Sequence, residues 1–192
     1  MSVDFYNENA KNFADSTVNV DMNIIYDAFL PYLCKGCHIL DAGCGSGRDI
    51  KFFLEKGFKV TAIDASFELA KIAKKLTGID VHVCRFEKFK SEITFDAVWA
   101  CASLLHVPLK DINLAFKNLS CCLKNKGYFY CSFKYGNDET NRGGRHFTNA
   151  TEEKLDLFIE NTGLYPEKLW ISDDARPERR HEKWLNAILV KK

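Results

Sequence analysis

Two rhythms of apolar residues alternate along the chain. Short runs such as Ile39-Leu40, Val60–Ile63, Phe95–Ala100 and Tyr128–Phe133 have the length and the β-branched or aromatic content of buried strands. Between them, Ile24, Ile25, Ala28 and Phe29, and then Ile50, Phe52, Phe53 and Leu54, recur at helical spacing. Strand and helix patterns in alternation predict an α/β, doubly wound, mostly parallel sheet with helices on both faces.

The boundaries follow from punctuation. A short helix is expected over 7–15. Asp21 can cap a helix across 22–33, and Ser66 opens another that must end before Gly78. Helices are also expected over 47–56 and 110–123, and one that opens at Thr151 and stops at Gly163. Strands are expected over 37–41, 58–63, 79–84, 95–100, 127–134, 164–172 and 183–190, seven in all. Residues 137–149 read as a polar loop, and 173–182 as a charged connection.

The stretch CHILDAGCGSGRD at 37–49 changes the picture from fold to chemistry. A strand ends in an acid, Asp41. A loop follows with glycine at 43, 45 and 47, and then a helix. Glycine lets such a loop take positive φ and lets a ligand touch bare backbone, and the helix opening after it offers free N–H groups. The next strand ends in Asp64, where a carboxylate can accept both hydroxyls of a ribose. The pattern reads as a nucleoside site at the carboxyl edge of a parallel sheet. Dinucleotide folds use G-x-G-x-x-G with the pyrophosphate on the helix end. Here the run is G-x-G-x-G and an acid precedes it, which disfavours a pyrophosphate. A ligand with a ribose and a positive group suits the site better, and S-adenosylmethionine has both.

With these residues the chain resembles the class I S-adenosylmethionine-dependent methyltransferases, whose first motif is acid-x-Gly-x-Gly-x-Gly. Within them, GCGSGRD followed by FLEKGFKVTAIDAS is most similar to the tellurite-resistance type. The resemblance covers roughly residues 20–135. It implies that the last two strands form an antiparallel C-terminal hairpin. It also implies one methyltransferase domain over 1–192, with a helical cap at 1–35, a cofactor-binding half at 36–135 and a substrate-side half at 136–192.

Composition narrows the setting. One domain with a sizeable core fits 192 residues, 46% hydrophobic and 28% charged. No apolar run reaches membrane-spanning length, and MSVDFYNENAKNF has no basic-then-apolar leader, so a cytoplasmic protein is expected. A net charge of +1 argues against a strongly basic nucleic-acid footprint. Eight cysteines without a leader read as thiols, and the lone C-x-x-C at Cys34 and Cys37 has no second pair to complete a zinc site, so no metal is expected.

Methyl transfer from a sulfonium is an in-line displacement that needs alignment and exclusion of water more than a dedicated base. The cofactor-binding expectations are Asp41, Gly43, Cys44, Gly45, Gly47 and Arg48 on the first motif, and Asp64 with the small Ala65 on the second. From the resemblance, Glu87 or the backbone of Phe86 sits by the adenine amino group, and Ala100 and Cys101 lie under the methionine arm. Asn/Asp-Pro-Pro-Tyr, the amide methyltransferase pattern, is absent from the fourth strand's end, which counts against DNA-base methylation. The catalytic expectations are His106 for proton transfer, Tyr6 from a leader that closes over the cofactor together with Phe13, and Arg145. Arg142, Arg145, Arg176 and Arg179, on two loops that can meet at one sheet edge, suggest an anionic acceptor. The expected reaction is methyl transfer to a small-molecule or metalloid acceptor. A tRNA nucleoside is the alternative, because those arginines stand beside aromatics. A non-catalytic nucleoside-binding module, or a nicotinamide oxidoreductase on the same fold, stays open as well.

Overall fold

A computed structural model describes residues 2–192. Helices α1 (Ser2–Glu8), α2 (Ala10–Thr17) and α3 (Asn23–Phe29) precede strand β1 (His38–Ala42). Then come α4 (Arg48–Glu55), β2 (Lys59–Asp64), α5 (Phe67–Thr77), β3 (Val81–Val83), β4 (Phe95–Ala100), α6 (Leu109–Cys121) and β5 (Leu123–Lys134). A hairpin of β6 (Glu139–Arg142) and β7 (Arg145–Thr148), helix α7 (Glu152–Phe158), and strands β8 (Leu164–Asp173) and β9 (Lys183–Lys191) complete the chain.

Seven strands form one sheet in the order β3-β2-β1-β4-β5-β9-β8. β1 through β5 pair in parallel, and β9 runs antiparallel to both β5 and β8. β8 is therefore parallel to β5, so the segment leaving it emerges at the same carboxyl edge as the loops after β1, β2 and β4. The chain reverses its direction of winding between β1 and β4, and the crevice at such a switch point is where α/β sheets bind ligands.

Side-chain alternation splits the core in two. Ile39, Ala97, Trp99 and Tyr130 face α3 and α4, with Phe29, Ile50 and Phe53. Leu40, Val98, Ala100 and Phe129 face α6 and α7, with Ile112, Phe116, Leu155 and Phe158. Fully burying each of the larger apolar side chains contributes roughly 1.5–3 kcal/mol. Trp99 stacks on Tyr130 at 4.2 Å between ring centroids and meets Phe53 edge-on at 5.2 Å.

Three expectations are corrected. The leader is two short helices beginning at Ser2, not one over 7–15. The helix after Asp21 stops at Phe29, because Pro31 has no N–H to continue it, and a 3-10 turn over Leu30–Tyr32 follows. Residues 137–149 hold the β6–β7 hairpin rather than a loop. Gly143 and Gly144, at φ 55° and 72°, make the two-residue turn that suits a hairpin's twist. Ser66 and Gly78 cap α5 as expected: Ser66 accepts from the Leu69 N–H, and Gly78 is left-handed at φ 76°.

Candidate active site

The glycine loop after β1 is tied to β2. The N–H groups of Gly43 and Cys44 both donate to the Ile63 carbonyl, at 2.8 and 3.1 Å. The Gly45 N–H donates to Asp64 Oδ2 at 2.8 Å, and the Ser66 N–H to Asp64 Oδ1 at 2.8 Å. One carboxylate thus clasps the loop to the start of α5. Each of its oxygens keeps a further lone pair. Burial raises the Asp64 pKa, and those backbone bonds oppose the rise.

Two cavities meet here. The narrower, about 350 Å³, runs from Asp64, Ala65 and Leu69 across to Phe86 and Glu87. Tyr6 and Phe13 from α1 and α2 cover it. The wider, about 1430 Å³, is walled by Cys101, Tyr130 and Ser132, by the β6–β7 hairpin, and by the segment after β8. Tyr6, Phe13, Gly43, Gly45, Ala102 and His106 line both, so the cavities are two ends of one crevice. α1 is fastened over it: Ser66 Oγ donates to Asn7 Oδ1 at 2.7 Å, and the His146 N–H to Ser2 Oγ at 2.9 Å.

The structure brings most of the expected residues to this crevice. Gly43, Gly45, Asp64, Ala65, Phe86 and Glu87 line the narrow end, and Cys44, Arg48, Cys101 and Arg145 the wide end. Asp41, Gly47 and Ala100 line neither cavity. Ala100 is fully buried on the α6 face of its strand, because β4 alternates. A Cβ at Gly47 would meet the Ala73 backbone at 3.0 Å, so this glycine serves helix packing. Asp41 makes no hydrogen bond to the loop. Its Oδ2 is buried without a partner, and burial, with the Asp49 charge nearby, holds its pKa well above the carboxylate range. The Phe86 carbonyl already accepts from Asn118 Nδ2 at 3.1 Å.

Two anchors were not anticipated from the sequence. Asp49, in the first turn of α4, takes two bonds from Arg48, at 2.6 and 3.0 Å, and one from Trp99 Nε1 at 2.8 Å. Tyr26 also donates to it. Burial opposes its charge, yet Arg48 and these donors outweigh it and keep its pKa low. Its signal was present as the D of GRD. Ser103 is the other. Its Oγ donates to the Ala42 carbonyl at 2.6 Å, pinning the β4 loop against the glycine loop.

Tyr6 and His106 form a pair at the junction. The Tyr6 hydroxyl and His106 Nε2 are 2.7 Å apart, and His106 Nδ1 is 2.7 Å from the His146 carbonyl. A carbonyl only accepts, so Nδ1 carries the proton, Nε2 is the acceptor, and Tyr6 donates to it. Burial pushes the His106 pKa down to about 4, and Arg145 adds to the depression. The unfolded chain therefore binds more protons than the native one between pH 4 and about 6.5. His106 contributes stability above that window, and acidification through it removes on the order of 3 kcal/mol. Urea unfolding at pH 7 and pH 5 should show the wild type losing more stability on acidification than His106→Gln. Equal losses would place the titration elsewhere.

The cations of the wide end divide into committed and uncommitted groups. Asp174 chelates Arg176 through Nε and a terminal nitrogen, at 2.8 and 2.6 Å, and accepts from Trp184 Nε1 at 3.1 Å. Lys183 pairs with Asp173, and Lys134 with Glu182. Arg176 is thus held in the wall rather than left for a ligand. Among the described residues Arg142, Arg145 and Arg179 have no carboxylate at ion-pair distance. Burial raises the Cys101 thiol to about 12, so it is protonated and a poor soft ligand. Among the described residues no three His, Cys, Asp or Glu side chains are grouped to hold a metal, and no helix is long and apolar enough to cross a membrane.

Comparison with known proteins agrees with this geometry. Residues 39–127 match a family described as a methyltransferase domain. A malonyl-[acyl-carrier protein] O-methyltransferase from Hamiltonella defensa is 32% identical over 88 residues, 45% of this chain and 28% of that protein. The chain spans about a third of the length of the first curated relatives it matches. Among solved structures, 1,6-didemethyltoxoflavin-N1-methyltransferase from Burkholderia thailandensis superposes with a TM-score of 0.76 at 23% identity. That match covers 99% of this chain and 85% of the other. A TehB-like methyltransferase from Corynebacterium glutamicum gives 0.71 at 22% identity, over 99% and 98%. The fold is therefore that of the class I S-adenosylmethionine-dependent methyltransferases. The TehB-like structure is one neighbour among several.

Proposed function

We propose that the chain is an enzyme that binds S-adenosylmethionine in the narrow end of the crevice and methylates a small molecule held in the wide end. The observation that carries this reading is the junction itself. A ribose-sized acid site at Asp64 opens, at Tyr6 and His106, into a chamber large enough for a second reactant. The residues fit the cofactor. A Cβ at Gly45 would stand in the crevice, with only Phe13 Cε1 near it at 3.4 Å, so the bare backbone leaves room for a ligand. Asp64 would take the ribose hydroxyls, Phe86 and Glu87 would flank the adenine, and Arg48, Cys101 and Ala102 would border the amino-acid arm.

When bound, S-adenosylmethionine supplies a methyl group already activated on a sulfonium. The chain's own residues then have three tasks. Tyr6 and Phe13 exclude water from the junction. The Tyr6 oxygen, which donates its proton to His106, can accept a hydrogen bond from a nucleophile and orient it. His106 Nε2 can receive a proton only against a depressed pKa. That favours nucleophiles that arrive deprotonated or shed their proton to water. The chamber's cations line a concave wall, a shape that supports a small acceptor over an RNA. A protonated Cys101 gives no support to a metalloid acceptor.

Calorimetry should show S-adenosylhomocysteine binding with NADH excluded, and methyl-labelled cofactor should deliver label to a low-mass fraction of a cell extract rather than to bulk tRNA. Binding of NADH without S-adenosylhomocysteine would overturn the cofactor, and label in tRNA would overturn the acceptor class.

A further inference from the structure

We infer that the acceptor is a small molecule bearing a carboxylate or a phosphate, and that Arg145 and Arg179 hold this anion in the wide chamber, with Arg142 at its mouth. The identification of this ligand as the acceptor rests on the methyl-transfer reading; the anion site itself does not.

Three observations converge. First, these guanidiniums lie on two separate elements, the β6–β7 hairpin and the 3-10 turn after β8, and the topology brings both to one chamber. Second, three of the neighbouring carboxylates are already used, Asp174 by Arg176, Asp173 by Lys183 and Glu182 by Lys134, while Glu178, beside Arg179 on the same turn, offsets part of that arginine's charge without an ion pair among the described residues. Arg145 Nε is buried with no hydrogen-bond partner at all. Its guanidinium lies instead 4.9 Å from the Phe5 ring centroid and 5.2 Å from that of Phe147, with the Tyr6 hydroxyl in reach of one of its donors. Aromatic faces hold a guanidinium flat and leave its edge donors free for a planar or tetrahedral oxyanion. Third, the cations repel one another. Burial and then Arg142 push Lys134 down to about 8, and burial, Arg176 and Arg145 lower Arg179. Like charges kept together in a half-buried wall cost stability, and a bound anion offsets that cost.

The site also lies where an acceptor must be. Tyr6 feels the charge of both Arg145 and Arg176, and it borders the narrow cavity as well. An anion on Arg145 would therefore set the remainder of its molecule beside the cofactor's end of the crevice.

The experiment uses the full chain at constant ionic strength, with and without saturating S-adenosylhomocysteine. Benzoate, inorganic phosphate and the neutral benzamide are titrated by calorimetry. The expected result is binding of benzoate or phosphate but not benzamide, weakened roughly 10- to 100-fold in Arg145→Gln and in Arg179→Gln. Preference between benzoate and phosphate decides which oxyanion the acceptor carries. Arg145→Lys, which keeps the charge but loses the fork, should recover only part of the affinity. Circular dichroism identifies any variant that unfolds, and Arg179→Gln, on a partly exposed turn, then carries the test alone. Failure of both anions to bind wild type, or equal binding by wild type and folded variants, overturns the site. Failure of S-adenosylhomocysteine to bind while the anions still do would overturn the cofactor reading and leave the anion site standing.

Discussion

Replacing Asp64 by alanine should abolish useful cofactor binding. A ribose held through both hydroxyls makes charge-assisted hydrogen bonds of about 1.5–3 kcal/mol each, so losing two costs roughly a hundredfold in affinity or more. The structure adds a second reason for a large effect. The same carboxylate accepts the Gly45 and Ser66 N–H groups at 2.8 Å each, so its removal frees the glycine loop from the start of α5. The buried Ser66 N–H and the half-buried Gly45 N–H would then need other partners, which costs up to about 1–3 kcal/mol for the buried one if it finds none. Asp64→Asn separates the two effects. It keeps an acceptor oxygen for one N–H and loses the charge. Calorimetry with S-adenosylhomocysteine should show Asn weak and Ala undetectable, with the melting temperature falling more for Ala. Unchanged affinity in the asparagine variant would remove Asp64 from the ribose.

How much of this could be read from the chain follows from where each signal lives. The alternation of strand and helix patterns is local, and it located all seven strands of the main sheet. The left-handed glycines of the loop and the clasp of Asp64 on it have local signals, because a turn and a positive φ demand particular residues at fixed offsets. Asp41 was expected to orient the glycine loop but makes no hydrogen bond to it, because an acid at a strand end says nothing about which way it faces. In the fold it is buried, and Ile63 of β2 accepts the loop's hydrogen bonds. Ala100 packs into the core on the α6 face of the sheet, because strand parity, not chain position, decides between core and cavity. The β6–β7 hairpin was hidden because its outer strand, ETNR, is wholly exposed and carries no apolar alternation. Only the Gly143-Gly144 pair announced it. The Asp49 network was illegible as a network, since Tyr26 and Trp99 reach it from distant parts of the chain. The commitment of Arg176 to Asp174 is a local contact between neighbours two residues apart. The freedom of Arg145 and Arg179 is a tertiary fact that only the packed chamber shows.

The glycine loop supplies the second large effect, and it separates fold from function within three residues. Gly43 and Gly45 both adopt left-handed backbone, at φ 85° and 55°, where a side chain costs on the order of 1–2 kcal/mol. Their surroundings differ. A Cβ at Gly43 would come within 2.3 Å of the Ser103 Cβ, and Ser103 cannot retreat, because its Oγ is bonded to the Ala42 carbonyl. A Cβ at Gly45 would touch only Phe13 Cε1 at 3.4 Å, the edge of a side chain in the crevice's cover. Gly43→Ala should therefore unfold at a markedly lower temperature, with β1 and β4 pushed apart. Gly45→Ala should melt within a few degrees of wild type. A valine at 45 projects two methyl groups into the space a ligand would occupy, so Gly45→Val should stay folded and lose S-adenosylhomocysteine binding by roughly a hundredfold. Melting curves and calorimetry on the three variants give the answer together. If Gly45→Val binds as wild type does while Gly43→Ala melts early, the loop is a structural turn and the cradle for the cofactor lies elsewhere in the crevice.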